Sequence, residues 1–287
     1  MSLYIRGNIF EKNIKDKGNL AMKTWRLIPL STHDAFMNMA IDEAILISKI
    51  KDFIPNTIRF YQWNPSAVSI GRNLNINEQI YPQALKEYQI DVVRRTSGGG
   101  AVYHDQNGEI TYSLTATISD LGSDYTSVYQ KVYSAIIDSL RLLGIPADFV
   151  KGDIKNCPNL AVNGKKISGS AQTVKRKIIQ QHGTILLSVD LQRMFKLLRL
   201  KGLDCDLATE IGKRKITSIE NEVKHLISAT TVANALEQGF NAKLKIKLIP
   251  DKLTSSEETL AKRLYKQKYL TNEWNQKGQF SSFLNTI

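Results

Sequence analysis

The chain has 287 residues, 42% of them hydrophobic, which is enough to bury one large core and too apolar for a disordered protein. Its formal charge of +12 attracts polyanions, but no Cys/His finger, aromatic RNP-like block or heptad run accompanies it, so nucleic acid is set aside as a partner. Two cysteines exclude a disulfide framework, His33, His104, His182 and His225 lack metal-ligand spacing, and no apolar run is long enough for a bilayer; the expectation is a cytoplasmic protein with no assigned metal.

Residues 1–21 are polar and basic and read as an N-terminal extension, after which Met22 opens "MKTWRLIPLS". Phe36, Met39, Ala40, Ala44 and Ile47 fall mostly on one helical face, with Thr32 or Asp34 as the cap, and "TIRFYQW" follows as a strand. "QIDVVRR" is a short apolar strand, and "EITYSLTATI" alternates in the manner of a half-buried one. The stretch "RRTSGGGAVYHD", Arg94 to Asp105, therefore lies between two strands. Val128, Val132, Ala135, Ile136, Leu140 and Leu143 then keep the 3.6-residue period from an Asp124 cap to Gly144 as the stop.

In "NLAVNGKKISGSAQ", Asn159 to Gln172, the Asn163-Gly164 pair predicts a hairpin. Strict alternation would put Lys166, Ser168 and Ser170 on one face and Ile167 on the other. "QQHGTILLSVD" places His182 and Gly183 at the head of an apolar strand. "ISATTVANALEQGF" and "TSSEETLAKRLYKQKY" read as helices of a C-terminal lobe from about residue 229, the second with a capping box from Ser255 to Glu258. Lys262, Arg263, Lys266 and Lys268 read as its solvated face, and residues 276–287 as a tail.

Three consecutive glycines, Gly98 to Gly100, let a ligand approach the main chain with no Cβ in the way, and Arg94 and Arg95 add charge beside them. The familiar phosphate loops do not fit, because there is no G-x-x-x-x-G-K-[ST] and these glycines precede a strand where a dinucleotide fingerprint needs a helix. Lys166 sits among residues too small to fill a core, which favours a groove over a solvated hairpin tip. For His104 and His182 the plain reading is a hydrogen-bonded structural role.

Together "RRTSGGGAVYHD", "NGKKISGSAQ" and "HGTILL" resemble the lipoate-protein ligase A family of the biotin/lipoate A/B protein ligase superfamily. "MNMAIDEAIL" and "SAVSIGRNLNINEQI" agree with it, and the stretch from "ALEQGF" through "KYLTNEWN" is most similar to the end of the archaeal-type catalytic subunit. The resemblance covers residues 22–275, the span expected as the catalytic domain. It implies an α+β fold, a central mixed sheet flanked by helices, as in biotin ligases and class II aminoacyl-tRNA synthetases.

The implied activity is ATP-dependent attachment of lipoate to a lysine of an acyl-carrier domain through lipoyl-AMP, with Mg²⁺ and a separate small accessory subunit for activation. The implied partners are lipoyl or acyl-carrier domains of the 2-oxoacid dehydrogenase or glycine-cleavage type, with no membrane. Lys166 matches the family's catalytic lysine. Arg95, Ser97, Gly98, Gly99, Gly100, Ala101, Val102, Tyr103, His104, Ser168, Gly169, His182 and Gly183 match its nucleotide- and acyl-binding stretches. Related octanoyltransferases instead take octanoyl from acyl-carrier protein on a cysteine and need no ATP; on that alternative Cys157 is the nucleophile. A non-catalytic acyl- or nucleotide-binding module is the alternative of another class.

Overall fold

The structure, a computed structural model, describes residues 22–150 and 159–280, so the N-terminal extension and Cys157 lie outside the described residues. The strands are β1 (Lys23–His33), β2 (Thr57–Trp63), β3 (Ala67–Ile70), β4 (Asp91–Arg94), β5 (Val102–His104), β6 (Glu109–Thr117), β7 (Asp148–Phe149), β8 (Asn159–Val162), β9 (Lys165–Lys175), β10 (Ile178–Leu186) and β11 (Ile246–Pro250). The helices are α1 (Ala35–Ile50), α2 (Pro82–Glu87), α3 (Ile118–Leu121), α4 (Tyr125–Leu142), α5 (Leu191–Leu197), α6 (Cys205–Lys215), α7 (Ile219–Val223), α8 (Ala229–Leu244), α9 (Ser255–Leu264) and α10 (Asn272–Lys277).

Eight strands form one mixed sheet in the order β11-β1-β2-β6-β10-β9-β8-β7, parallel from β11 to β2 and antiparallel beyond, while β4-β3-β5 form a second, small sheet. This is the α+β arrangement expected. The strand period of two splits β6 into Ile110, Tyr112, Leu114 and Ala116 on one side and Glu109, Thr111, Ser113 and Thr115 on the other. The apolar side packs with α4 and α8 into the main core, where Phe240 lies 6.4 Å from Phe60 and 6.1 Å from Tyr112 between ring centroids. The polar side faces α1.

Local signals hold the helix ends. Asp34 rather than Thr32 caps α1, accepting from the Met37 amide at 2.7 Å. Asp124 and Ser127 cap α4 reciprocally, and Gly144 takes φ +77° just past its end. The capping box of α9 lies one residue before the expected one, joining Thr254 to Glu257.

Three expectations change in tertiary context. The segments after residue 229 divide between two cores: α8 lies along α4 and β11 extends the main sheet beside β1, both joining the main core, while Ala261, Leu264 and Trp274 pack in a second cluster with α1. Lys268 is not solvated, since a π-helical turn over Tyr265–Tyr269 carries it inward, where Nζ donates to Glu43 of α1 at 2.6 and 2.8 Å. His182 is mid-strand, opposite Ser113, with Gly183 opposite Tyr112.

Candidate active site

A cavity of about 330 Å³ opens between the large and small sheets, lined among others by Arg95, Gly99, Gly100, Tyr103, His104, Lys166, Gly169, His182 and Gly183. It brings the glycine stretch, the lysine hairpin and the His-Gly strand to one place, although β9 and the loop after β4 belong to different sheets. Ser97 stands behind this wall, buried and bonded to His182, and the carbonyls of Gly98 and Gly100 accept from Arg95.

The glycine loop is shaped by close approach as well as by conformation. Gly99 has φ +89°, in the region that favours glycine, and a Cβ on Gly71 would lie 2.1 Å from the Gly99 carbonyl oxygen. Gly98 and Gly100 have nothing within 4 Å of where a Cβ would stand, so their bare main chain borders open space. The two arginines before the loop divide the work. Arg94 is buried with its side chain donating to carbonyls of Gly71, Arg72, Leu74, Trp274, Asn275 and Gln276, which ties α10 to the loop after β3. Arg95 donates to Ser69 Oγ at 2.7 Å, Gly98 O at 2.8 Å and Gly100 O at 2.9 Å, so it grips the loop from behind rather than projecting into solvent.

The hairpin delivers Lys166 through a departure from strict alternation. Asn163 (φ +49°) and Gly164 (φ +78°) make the expected two-residue turn. A bulge then opposes Leu160 to Ser168 but Ala161 to Lys166, leaving Ile167 as the extra residue. Lys166 therefore shares a face with Gly169 and Ala171. Ser168 faces the other way with Leu160, and the Ser170 hydroxyl donates to Tyr133 of α4 at 2.8 Å. The expectation of Lys166, Ser168 and Ser170 on one face fails at that bulge. Lys166 itself crosses over Gly169: a Cβ there would lie 2.7 Å from Nζ and 2.8 Å from Cε.

Gly183, which also borders the cavity, is closely packed behind its main chain, since a Cβ there would strike Gly169 O and Ser170 Cβ at 2.6 Å. His182 Nε2 and Ser97 Oγ are 2.6 Å apart, and His182 Nδ1 faces Asp42 Oδ2 at 3.6 Å. Burial, with Arg95 and His104 adding to it, holds the His182 imidazole below its ordinary pKa despite the opposing Asp42 carboxylate. Asp42 is itself lowered: burial pushes it up, but His182 and Arg59, whose Nη1 donates at 2.8 Å, outweigh that. His104 bonds Ser69 and Glu109 and stacks on Trp63 at 3.8 Å between centroids.

Sequence reasoning passed over Asp42, Ser69, Gly71, Glu109 and Asn159, although all five stand in quoted stretches. Asn38, Asp42 and Glu43 are polar residues within the mostly apolar α1, and that pattern was the available signal. Cys205 begins α6 and does not line the cavity. Among the described residues no three His, Cys, Asp or Glu side chains are grouped to hold a metal ion, and no helix is long and apolar enough to cross a membrane.

Residues 34–241 match the lipoyl protein ligase A/B catalytic domain. The chain is 36% identical over 276 residues to octanoyltransferase LipM of Halalkalibacterium halodurans, covering 88% of this chain and 99% of that protein. It is 33% identical over 276 residues to octanoyltransferase LipM of Bacillus subtilis, covering 89% and 99%. Among solved structures, a bi-partite lipoate protein ligase of Thermoplasma acidophilum, studied with its E2 lipoyl domain, superposes with a TM-score of 0.78 at 28% identity over 91% of this chain and 99% of its own. A lipoate-protein ligase A bound with ATP gives 0.77 at 29% identity over 90% and 100%. With the three motifs gathered on one cavity, the chain belongs to the lipoyl protein ligase A/B catalytic-domain family.

Proposed function

We propose that this chain transfers an octanoyl group from an acyl-carrier thioester to a lysine of a lipoyl-type carrier domain. The observation that carries the reading is the cavity in which the Lys166 ammonium shares space with the bare main chain of Gly99 and Gly100. Its volume, about 330 Å³, suits a small acyl chain laid against the backbone. The names of the two relatives above, both octanoyltransferase LipM, favour this route over the ATP-dependent one expected from the sequence.

The chemistry follows from charge. When a thiolate attacks the octanoyl carbonyl, negative charge gathers on its oxygen, and a preorganised ammonium stabilises it. On this reading Cys157 forms the new thioester as the carrier thiol leaves. The target lysine amine then attacks that thioester, an amide forms, and the amine proton passes to the departing thiolate. Lys166 serves both steps, while the glycine wall holds the chain. The charge of +12 speeds encounter with acidic carrier domains, those of 2-oxoacid dehydrogenase or glycine-cleavage type being the expected acceptors.

The second reading, a lipoate ligase using ATP with an accessory subunit, is favoured by the structural likeness to the bi-partite ligase. Among the described residues no three His, Cys, Asp or Glu side chains are grouped to hold Mg²⁺. Mixing the purified chain with octanoyl-acyl-carrier protein and an apo lipoyl domain, without ATP, should raise the acceptor's mass by one octanoyl group, and Cys157→Ser should abolish this. Modification only with free lipoate and MgATP, unaffected by Cys157→Ser, would establish the ligase instead.

A further inference from the structure

Two relays of the same composition converge on Arg95 from opposite sides of the loop. In the first, Asp42 Oδ2 faces His182 Nδ1 at 3.6 Å, His182 Nε2 meets Ser97 Oγ at 2.6 Å, and Arg95 Nε donates to that oxygen at 3.4 Å. In the second, Glu109 Oε1 meets His104 Nδ1 at 2.6 Å, His104 Nε2 meets Ser69 Oγ at 2.7 Å, and Arg95 Nη1 donates to that oxygen at 2.7 Å. The order serine, imidazole, carboxylate matches that of a hydrolase triad, but these hydroxyls are not nucleophiles. Ser69 is 0% and Ser97 1% exposed, and each oxygen is occupied by the guanidinium.

The carboxylates and the guanidinium together set the protons. A carboxylate can only accept, so the Nδ1 facing it carries the proton; in a neutral ring Nε2 is then bare and accepts the serine hydroxyl's proton, while the serine oxygen accepts from Arg95. The negative charges of Asp42 and Glu109 are thereby brought to bear on a buried cation that neither side chain reaches directly in these relays. Because Arg95 Nη2 holds the carbonyls of Gly98 and Gly100, its orientation sets the backbone of the loop.

We propose that Asp42 and Glu109 are positioning residues, which through His182–Ser97 and His104–Ser69 hold Arg95 in the orientation that shapes the glycine wall of the cavity. The assignment rests on that wall being the acyl-binding surface. Asp42 also accepts from Arg59 and from Tyr61, so the Glu109 relay gives the cleaner test.

The experiment uses the full chain labelled with ¹⁵N in histidine and glycine, with Ser69→Ala, Glu109→Gln, Ser97→Ala, Asp42→Asn and the doubles. Imidazole ¹⁵N shifts should report two neutral Nδ1–H rings in the native chain. Ser69→Ala and Glu109→Gln should displace the same glycine-loop amides, and their double should displace them no further. Each relay lost should cost roughly 10- to 100-fold in acyl transfer, the worth of a hydrogen bond to a charged group, with losses multiplying between relays and not within one. Nε2–H tautomers, or losses that multiply within a relay, overturn the proposal even if Asp42→Asn fails to fold. Glycine amides that respond while transfer stays intact uphold the relay and instead remove the loop from the acyl site.

Discussion

The two faces of β6 are buried alike and built from opposite chemistry. Ile110, Tyr112, Leu114 and Ala116 meet α4 and α8, while Glu109, Thr111, Ser113 and Thr115 meet the α1 side, and none of the eight exceeds 3% exposure. On the first face burial itself stabilises, since each large apolar side chain removed from water contributes about 1.5–3 kcal/mol. On the second, every polar atom must find a partner to offset its lost hydration: Thr111 takes the Trp63 indole N–H at 2.9 Å, and Thr115 takes Gln180 Nε2 at 2.9 Å. One oxygen there, Glu109 Oε2, has no partner. Burial thus does not separate core from site in this protein; the chemistry of what is buried does, and the cavity opens on the polar side.

Substitutions on the two faces should fail in different ways. Phe240→Ala, on the apolar side, should cost about 3–5 kcal/mol by chemical denaturation while the folded fraction keeps its rate, because the void it leaves lies in the core on the other face of the sheet from the cavity. If instead the rate collapses with stability intact, the faces are coupled. Lys166→Ala should do the reverse, lowering acyl transfer by about 10²–10³-fold, the scale of a lost oxyanion-stabilising group, with little change in the unfolding midpoint of an exposed position. Full activity in that variant would remove Lys166 from the chemistry.

A subtler probe is Gly169→Ala. Its methyl would occupy the path of the Lys166 side chain, whose flexible end can move aside, so the fold should survive and the rate should fall by roughly tenfold through misplacement of the ammonium. Parallel rate and stability measurements decide it, since a drop in stability equal to the drop in rate would show a packing defect. The smallest expected effect is on pH. His182 titrates below its unfolded value of 6.5, so the unfolded chain takes up its proton first. The stabilisation from keeping this ring neutral is complete above 6.5 and is lost as pH falls through the lower folded value. Urea midpoints between pH 7 and 5 should therefore decline in the native chain and flatten in His182→Gln.

The period of β6, the Asp124 cap and Gly144 stop of α4, and the Asn163-Gly164 turn were all legible in the chain, because each depends on residues within one or two turns of each other. The three family motifs were legible for the same reason, and they named one wall of the cavity after another. What no local pattern contained was how the walls meet. The bulge that sends Ser168 away from Lys166 comes from pairing with β8, and the burial of Lys268 from a carboxylate on α1. The grip of Arg95 on its loop needs Ser69 from another strand, and the main chain of Gly98 and Gly99 passes so close to position 71, nearly thirty residues earlier, that only a glycine fits there. Propensity and periodicity act over a few residues and fix which elements form; hydrogen bonds and close approaches between distant segments are settled only when the sheets pack, and in this protein those contacts build the site.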